Sequence, residues 1–457
     1  MTTSSNLIPS RNLEPTRFYP SFRETVTPAH SVRSGYRLIT QRNIIRSAAR
    51  LLLFLLVLVF FIPTSGSAED GSAFIRSALL AFLAISMLGI IQHLGTSVKL
   101  FLRTWPVWVL LLWFLLTSHW ASYPDISIRR SIAYITIYLI AVSLAVSFEH
   151  PVDFQRPLYL GLALIFLANI VAAQIIPPND AKLGVNGLYA QKNGAGAIAL
   201  DVIMVMTFSI ALRRPLIIKL FSACLVIIGW AFLISTQAKT SYATAVCLSF
   251  MIPVLSYLLL KPKAYMLLAA AVCALLFGVT VLVFQLMNVT LEELGKAIFV
   301  DLTFTNRTFI WNAIIPEIWH HPWTGAGFGS FWATGRLLNP INARPDEFFM
   351  DAKLINEAHN GYIDITLQAG FIGLALALVV MIRSVWQLCR AISIRPADRD
   401  GRVSCMIMLA LGLAMAIANL TESQVFQYSN SVGYLFVLIV VQAERWRLGY
   451  EAEWEPH

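Results

Sequence analysis

The sequence predicts an all-α polytopic membrane protein with about twelve transmembrane helices and one long periplasmic loop that contains a helix. Two features of the composition support this fold class. Hydrophobic residues make up 57% of the chain and charged residues 13%, whereas soluble globular proteins contain about 25% charged residues. The mean hydropathy is +0.68. In addition, apolar stretches long enough to cross a hydrocarbon core of about 30 Å recur from Leu51 to Val441.

The apolar stretches define the predicted order of elements. We expect spans at 49–64, 73–94, 105–120, 131–148, 157–177, 193–212, 215–235, 241–260, 264–288, 359–382, 402–421 and 427–443. The first, third and last are short for a bilayer crossing and need flanking residues or local thinning of the membrane. Residues 1–48 are rich in Ser, Thr, Pro and Arg and predict a disordered cytoplasmic tail. The membrane domain then covers 49–443, and 444–457 form a second cytoplasmic tail.

The distribution of basic residues predicts the orientation. The formal charge is +9, but the Lys and Arg residues are concentrated in connections of one parity. Those connections contain Lys99 with Arg103, Arg213 with Arg214, and Lys261 with Lys263. Basic residues near span ends remain on the cytoplasmic side, so both termini are predicted to be cytoplasmic. The charge is therefore a topology signal, and no nucleic-acid partner is expected.

One connection is much longer than the others. The predicted outer loop covers 289–358, whereas the median connection has about four to six residues. Its apolar residues between Arg307 and Trp319 recur at helical spacing and predict a helix. Pro322 and the glycines at 325, 327 and 329 then break regular structure. Long loops of this kind usually carry function.

Four polar clusters meet the outer ends of spans on this topology. They read YAQKNGAG from Tyr189, STQAKTS from Ser235, NRTFIW from Asn306 with PWTGAGFGSF from Pro322, and EAHNGY from Glu357. Cations at one membrane face suit an anionic ligand with a lipid tail, and a diphosphate fits best because Arg and Lys match its oxygens. Such cations would also stabilise charge on a diphosphate leaving group. A metal is then dispensable, since the predicted outer loop contains no DxD carboxylate pair and the cysteines lack metal-ligand spacing.

Two residues are candidates for proton transfer. His359 lies next but one to Glu357, and a histidine with an ordinary pKa near 6.5 could accept a proton from an attacking sugar hydroxyl. The sequence does not decide between the two. Each cluster residue also has a structural interpretation, since Lys192 and Lys239 could be interfacial anchors and a lone histidine is more often structural than catalytic.

The order of these clusters resembles the O-antigen ligase and polymerase superfamily, which includes the WaaL, Wzy and ExoQ types. The resemblance covers about residues 180–385, and the pieces around Lys192 and Lys239 look most like ExoQ-type exopolysaccharide polymerases. It implies metal-independent inverting transfer from an undecaprenyl-diphosphate-linked saccharide, at the periplasmic face of the bacterial inner membrane. No cofactor is implied. One departure is Gln191, where the family commonly has histidine, so proton transfer at that position is excluded.

Carried over by position, the resemblance concerns three residues, since Lys239 stands where the family usually has Arg or Lys and Arg307 and His359 receive roles. His359, Glu357 and Arg307 are the expected catalytic residues, with Arg307 at the diphosphate and His359 at the acceptor. The expected substrate-binding residues are Lys192, Asn193, Lys239, Trp311, Asn360 and Tyr362.

Three functions compete. The leading hypothesis is a polymerase that joins lipid-linked repeat units into exopolysaccharide or O-antigen, with a chain-length regulator and a flippase as candidate partners. The second is a ligase that transfers finished glycan to lipid A-core and uses the same donor. The third is a flippase or transporter, which is usually built from repeats around a midplane site. The two halves of this chain show no self-similarity, which disfavours the third function.

Overall fold

The computed structural model describes residues 29–61, 73–148, 150–176, 184–189, 191–259, 305–332, 357–394, 398–427 and 431–454. Within these ranges every regular element is an α-helix, which confirms the predicted fold class. The helices are α1 (Ala29–Phe61), α2 (Ala73–Gln92), α3 (Leu94–Arg103), α4 (Trp105–Thr117), α5 (Pro124–Ser147), α6 (Pro151–Ile175), α7 (Lys192–Ser209), α8 (Leu216–Thr236), α9 (Lys239–Leu259), α10 (Thr305–His320), α11 (Gly361–Ile394), α12 (Arg399–Ala418) and α13 (Ser431–Trp454).

A helix lies at each predicted span that falls within the described residues. By length and composition, seven helices among the described residues can cross a membrane, or eight if the bent pair α3 and α4 forms one span. The predicted span at 264–288 lies outside the described residues, so the total of about twelve stays a prediction. The chain divides into a unit of residues 1–44 and a compact unit of residues 45–457. Helix α1 begins at Ala29, inside the segment expected to be a disordered tail.

The outward faces of the helices are apolar. On α2, the side chains of Phe74, Leu80, Leu88 and Ile91 are between 61% and 67% exposed. A soluble monomer seldom exposes contiguous apolar area of this kind, because water would have to cover it. The protein is therefore a multi-pass membrane protein, with these side chains directed at lipid.

The connection before the third predicted span differs from expectation. We expected Lys99 and Arg103 to lie in a cytoplasmic loop, but these residues belong to α3, which meets α4 at an angle of 75°. Thr104 lies at the bend, where its Oγ1 donates to the carbonyl oxygen of Leu100 at 2.9 Å and lies 2.6 Å from the hydroxyl of Tyr138. The carbonyl oxygen of Leu100 also accepts the backbone N–H of Thr104 at 2.9 Å, so the bend leaves this carbonyl with partners.

The basic residues gather where α6, α8 and α12 begin, which we call the basic end. His150 Nε2 lies 2.7 Å from Asp398, and the backbone N–H of Arg213 donates to Asp400 at 3.0 Å. Arg383 pairs with Glu444 and also donates to the carbonyl oxygen of Arg103 at 3.3 Å. Several basic residues that the sequence assigns to the cytoplasm therefore share one end of the bundle.

Candidate functional site

The four polar clusters meet at the other end of the bundle, where α7, α9 and α11 begin, which we call the motif end. Its central element is a break in α11. Gly370 has φ 69° and ψ −176°, a conformation available essentially to glycine alone. A Cβ at this position would lie 2.1 Å from the carbonyl oxygen of Trp323, so the segment 321–332 packs directly against the break.

The break leaves carbonyl groups of α11 without helical partners, and segment 321–332 supplies new ones. The N–H of Ala326 donates to Leu367 at 2.8 Å, and that of Gly327 donates to Gln368 at 3.0 Å. Phe328 is inserted into the core, where its ring stacks on Phe114 with centroids 3.9 Å apart. The buried polar and aromatic contacts together fix this part of the long loop to the bundle.

Arg130 on α5 anchors the same segment from the opposite side. The arginine is 4% exposed and donates to the carbonyl oxygens of Gly329 and Trp332, the latter at 3.0 Å. Gln368 on α11 accepts the N–H of Gly329 at 2.7 Å. Although Arg130 was not among the predicted site residues, its buried guanidinium holds the loop that follows α10.

Helix α10 brings the third cluster to the fourth. The structure confirms the predicted helix, since α10 runs from Thr305 to His320. The indole N–H of Trp311 donates to the carbonyl oxygen of Ala358, next to His359, at 2.9 Å. Arg307 lies one helical turn before Trp311, and its side chain is outside the described residues. Its expected role at the diphosphate stays a prediction.

The first and second clusters also lie side by side. Lys192 and Lys239 are the first residues of α7 and α9. A Cβ on Gly196 would lie 2.4 Å from Cβ of Ala238, so the two helices begin in close contact. Lys192 is half-buried and Lys239 is exposed. Two helix N-termini and two lysines thus share one small region, and this arrangement favours anions.

The polar centre of the motif end is formed by His359, Glu357, Glu422 and Asn193. Nδ1 of His359 lies 3.1 Å from Oε1 of Glu357 and 3.2 Å from Oε2 of Glu422. The other oxygen of Glu422 accepts a hydrogen bond from Nδ2 of Asn193 at 2.7 Å. Glu422 therefore links the first and fourth clusters, and both of its oxygens have partners.

The charge of this centre follows from its geometry. Burial lowers the pKa of His359, but the hydrogen bonds and charges of Glu357 and Glu422 outweigh burial and raise the pKa to about 10. His359 is consequently an imidazolium at neutral pH. Its backbone φ is 50°, in the left-handed region that residues other than glycine seldom adopt. Strain of this kind concentrates at functional sites.

Sequence reasoning missed Glu422. The residue follows the end of α12, and it is the sole acidic residue between Val403 and Ala443 in the sequence. On the predicted topology this connection lies on the same face as the four clusters. That position, together with the rarity of acidic residues in this part of the chain, was the signal that could have found it.

Three predicted substrate-binding residues, Trp311, Asn360 and Tyr362, form hydrogen bonds with other groups of the protein. Trp311 bonds to Ala358 as described above, and Asn360 Oδ1 accepts the N–H groups of Tyr362 and Ile363 at 3.0 and 3.1 Å, which caps α11. The hydroxyl of Tyr362 donates to the carbonyl oxygen of Ala416 at 2.9 Å. These contacts join α10, α11 and α12 around His359, and direct contact with substrate stays a prediction for all three.

The centre also has the donor types of a metal site. Ligand atoms of Glu357, His359 and Glu422 all lie within 4.8 Å of one another. Two carboxylates and an imidazole are a donor set that divalent transition metals accept. In the structure the same atoms are joined to one another, with Nδ1 of His359 between the two carboxylates.

Fold and site together define a helical membrane protein that carries a carboxylate–imidazolium centre beside a group of cations at one end of its bundle. Comparison with known proteins gives two matches. The family model described as O-antigen ligase matches residues 223–378. The chain is also 23% identical over 313 residues to the exopolysaccharide production protein ExoQ of Rhizobium meliloti strain 1021. The aligned region covers 67% of this chain and 69% of that protein.

Both matches support the family that the four clusters predict. The chain is similar to O-antigen ligases over residues 223–378 and to ExoQ over 313 residues, and these similarities support an enzyme of the ligase or polymerase type. The family match includes Lys239, Arg307, Glu357 and His359, whereas Glu422 lies beyond its end.

Proposed function

We propose that this enzyme is a polysaccharide polymerase, which transfers glycan from one undecaprenyl-diphosphate-linked repeat unit to a hydroxyl group of another. The single observation that supports it most is the position of Glu422, whose oxygens join Asn193 in the first cluster to His359 in the fourth. Residues far apart in sequence thereby form one polar centre beside the cations.

The donor is bound through its diphosphate. Lys192 and Lys239 stand at the contacting N-termini of α7 and α9, where the helix dipoles add to the positive potential. With Arg307, which is assigned to the diphosphate by the family resemblance, they stabilise the charge that develops as the glycosidic bond to phosphate breaks. A preorganised cluster of cations is most effective in a poorly solvated site.

Glu357 is the proposed proton acceptor. Its Oε1 is bonded to His359, while its other oxygen has no hydrogen-bond partner among the described residues. The acceptor hydroxyl oxygen bonds to the anomeric carbon, the bond from that carbon to the phosphate oxygen breaks, and its electron pair stays on the diphosphate. The hydroxyl proton passes to Glu357. A single displacement of this kind inverts the configuration at the anomeric carbon.

The histidine has a different role in this mechanism. With a pKa near 10, His359 would be neutral in only about one molecule in a thousand at pH 7, so it is a poor resting base. Its imidazolium instead orients the carboxylates of Glu357 and Glu422 through Nδ1. The raised pKa supports Glu357 over His359 as the proton acceptor, the choice that the sequence left open.

We infer that the reaction needs no metal and occurs on the periplasmic face of the bacterial inner membrane. The imidazolium provides the positive charge between the two carboxylates that a divalent cation would otherwise supply. The orientation is supported by Arg213, Arg214 and Arg383, which lie at the basic end, since basic residues remain cytoplasmic. Both termini are then cytoplasmic.

Purified protein in nanodiscs, with EDTA present, tests this proposal. Given a lipid-linked repeat unit alone, a polymerase lengthens the glycan, which mass spectrometry detects. Product that forms only after lipid A-core is added would identify a ligase instead, and activity that needs a divalent cation would overturn metal independence.

Two variants test the assigned chemistry. Glu357→Gln should abolish chain growth, whereas Glu317→Gln on α10 is the matched control and should retain it. In cells, Arg307→Ala should leave repeat units accumulated at the outer leaflet. Accumulation at the cytoplasmic leaflet would instead support a flippase.

A further inference from the structure

The buried carboxylate of Asp364 joins three segments that surround the polar centre. Asp364 lies in the first turn of α11 and is 2% exposed. Its Oδ1 accepts the indole N–H of Trp332 at 2.5 Å, and its Oδ2 accepts the backbone N–H of Ala358 at 3.0 Å. The hydroxyl of Ser423 donates to the same Oδ2.

Two of these donors are the immediate neighbours of residues in the centre. Ala358 precedes His359, and Ser423 follows Glu422. The third donor, Trp332, ends the loop segment that Arg130 holds. One carboxylate thus fixes the backbone next to His359, the residue next to Glu422 and the loop that follows α10.

The position of His359 needs such support because its backbone has a positive φ of 50°. A non-glycine residue stays in that region only when the surrounding structure holds it there. The backbone is held on both sides of His359. The indole N–H of Trp311 donates to the carbonyl oxygen of Ala358, and the backbone N–H of Gly361 donates to the carbonyl oxygen of Asn419 at 2.8 Å. Asp364 supplies the remaining bond, to the N–H of Ala358.

We propose that Asp364 is the positioning residue of the catalytic centre. It sets the backbones of His359 and Glu422 so that the imidazole lies between the two glutamates, and it touches neither substrate nor the reacting atoms. This inference rests on the proposed function for its effect on catalysis, but its effect on the local structure can be measured without any activity.

Asp364→Asn is the informative substitution because it keeps the shape of the side chain. One amide oxygen can still accept from Trp332, but the amide NH₂ would then face the N–H of Ala358, which loses its acceptor. Ser423→Ala is a milder second variant that keeps the carboxylate and removes a single donor. Asp153→Asn is the matched control, since Asp153 is also buried but pairs with Arg50 at the basic end.

Hydrogen exchange by mass spectrometry on the full chain in nanodiscs gives the first readout. Asp364→Asn should accelerate exchange at least tenfold in peptides that contain Ala358 and His359 and in those that contain Glu422. Exchange elsewhere should stay unchanged. Ser423→Ala should accelerate only the Glu422 peptide, and Asp153→Asn should change neither.

Kinetics with lipid-linked repeat units give the second readout. The kcat of Asp364→Asn should fall at least tenfold, while the KM for the donor stays within twofold because the cations that bind diphosphate are untouched. The proposal is overturned if Asp364→Asn leaves exchange near His359 unchanged or accelerates exchange throughout the chain. It is also overturned if exchange near His359 accelerates while kcat stays at the native value. A wild-type protein without polymerase activity would refute the proposed function, and the exchange pattern would still test the positioning role.

Discussion

Replacement of Glu422 by glutamine tests the electrostatics of the centre. In the native protein the pKa of His359 rises from its ordinary 6.5 to about 10, which corresponds to about 5 kcal/mol in favour of the imidazolium. Glutamine keeps the size of the side chain and can still accept from Asn193, but it removes one of the two charges beside Nδ1. Burial of His359, which favours the neutral ring, is unchanged.

The expected magnitude follows from the number of partners. The two carboxylates together also offset the burial penalty, so losing one of them removes more than half of the net preference, at least about 2 to 3 kcal/mol, and lowers the pKa to about 8 or below. The same change alters stability. Because the pKa of His359 is raised on folding, its contribution is complete below pH 6.5 and is lost as the pH rises through about 10. In Glu422→Gln the contribution should be smaller and should be lost at about pH 8 or below.

Nuclear magnetic resonance of ¹³C-labelled histidine in nanodiscs measures this pKa directly. The protein has eight histidines, and the His359→Gln variant assigns the signal. A native pKa near 6.5, or a value that Glu422→Gln leaves unchanged, would refute the reasoning. Glu317→Gln serves as the control, because that side chain pairs with His320 and leaves the partners of His359 intact.

Three further predictions concern mechanism and fold. The rate of chain growth should stay constant from neutral pH upward and fall as His359 loses its proton near pH 10. A rate that instead rises tenfold per pH unit towards pH 10 would identify His359 as the base. Asn193→Ala should reduce kcat about tenfold, because a hydrogen bond to a charged group contributes about 1.5 to 3 kcal/mol; full activity in steady-state assays would exclude a role for that bond. Gly370→Ala should destabilise the protein by about 3 kcal/mol or more, seen as a lower thermal unfolding midpoint, and an unchanged midpoint would contradict the described break in α11.

Much of the fold follows from local sequence. Long apolar stretches must form helices in a bilayer, since each backbone polar group needs an internal partner there. The helix around Arg307 was predictable because its isoleucines and tryptophans recur at helical spacing. The placement of Lys192 and Lys239 at the same end of the bundle also follows, because alternate spans begin at the same end.

Other features depend on packing that periodicity does not encode. The bend at Thr104 is held by Tyr138, which lies 34 positions further along the chain. The break at Gly370 depends on a loop whose glycines approach the α11 backbone. Both contacts join segments from different parts of the sequence, so no local sequence pattern predicts them.

The candidate site shows the same division. His359 and Glu357 were predictable as a pair because they are close in sequence, but the choice between them depends on Glu422, which approaches from the end of α12. The role of Asp364 was equally hidden, since an acidic residue in the first turn of a helix is an ordinary helix feature. Its three donors come from three separate segments.

The position of the diphosphate is the most direct test of the whole account. A cryo-electron microscopy structure of the protein in nanodiscs with undecaprenyl diphosphate should show diphosphate density at the motif end, against the N-termini of α7 and α9 and beside His359. Density at the basic end, or at the middle of the bundle away from Lys192 and Lys239, would contradict it.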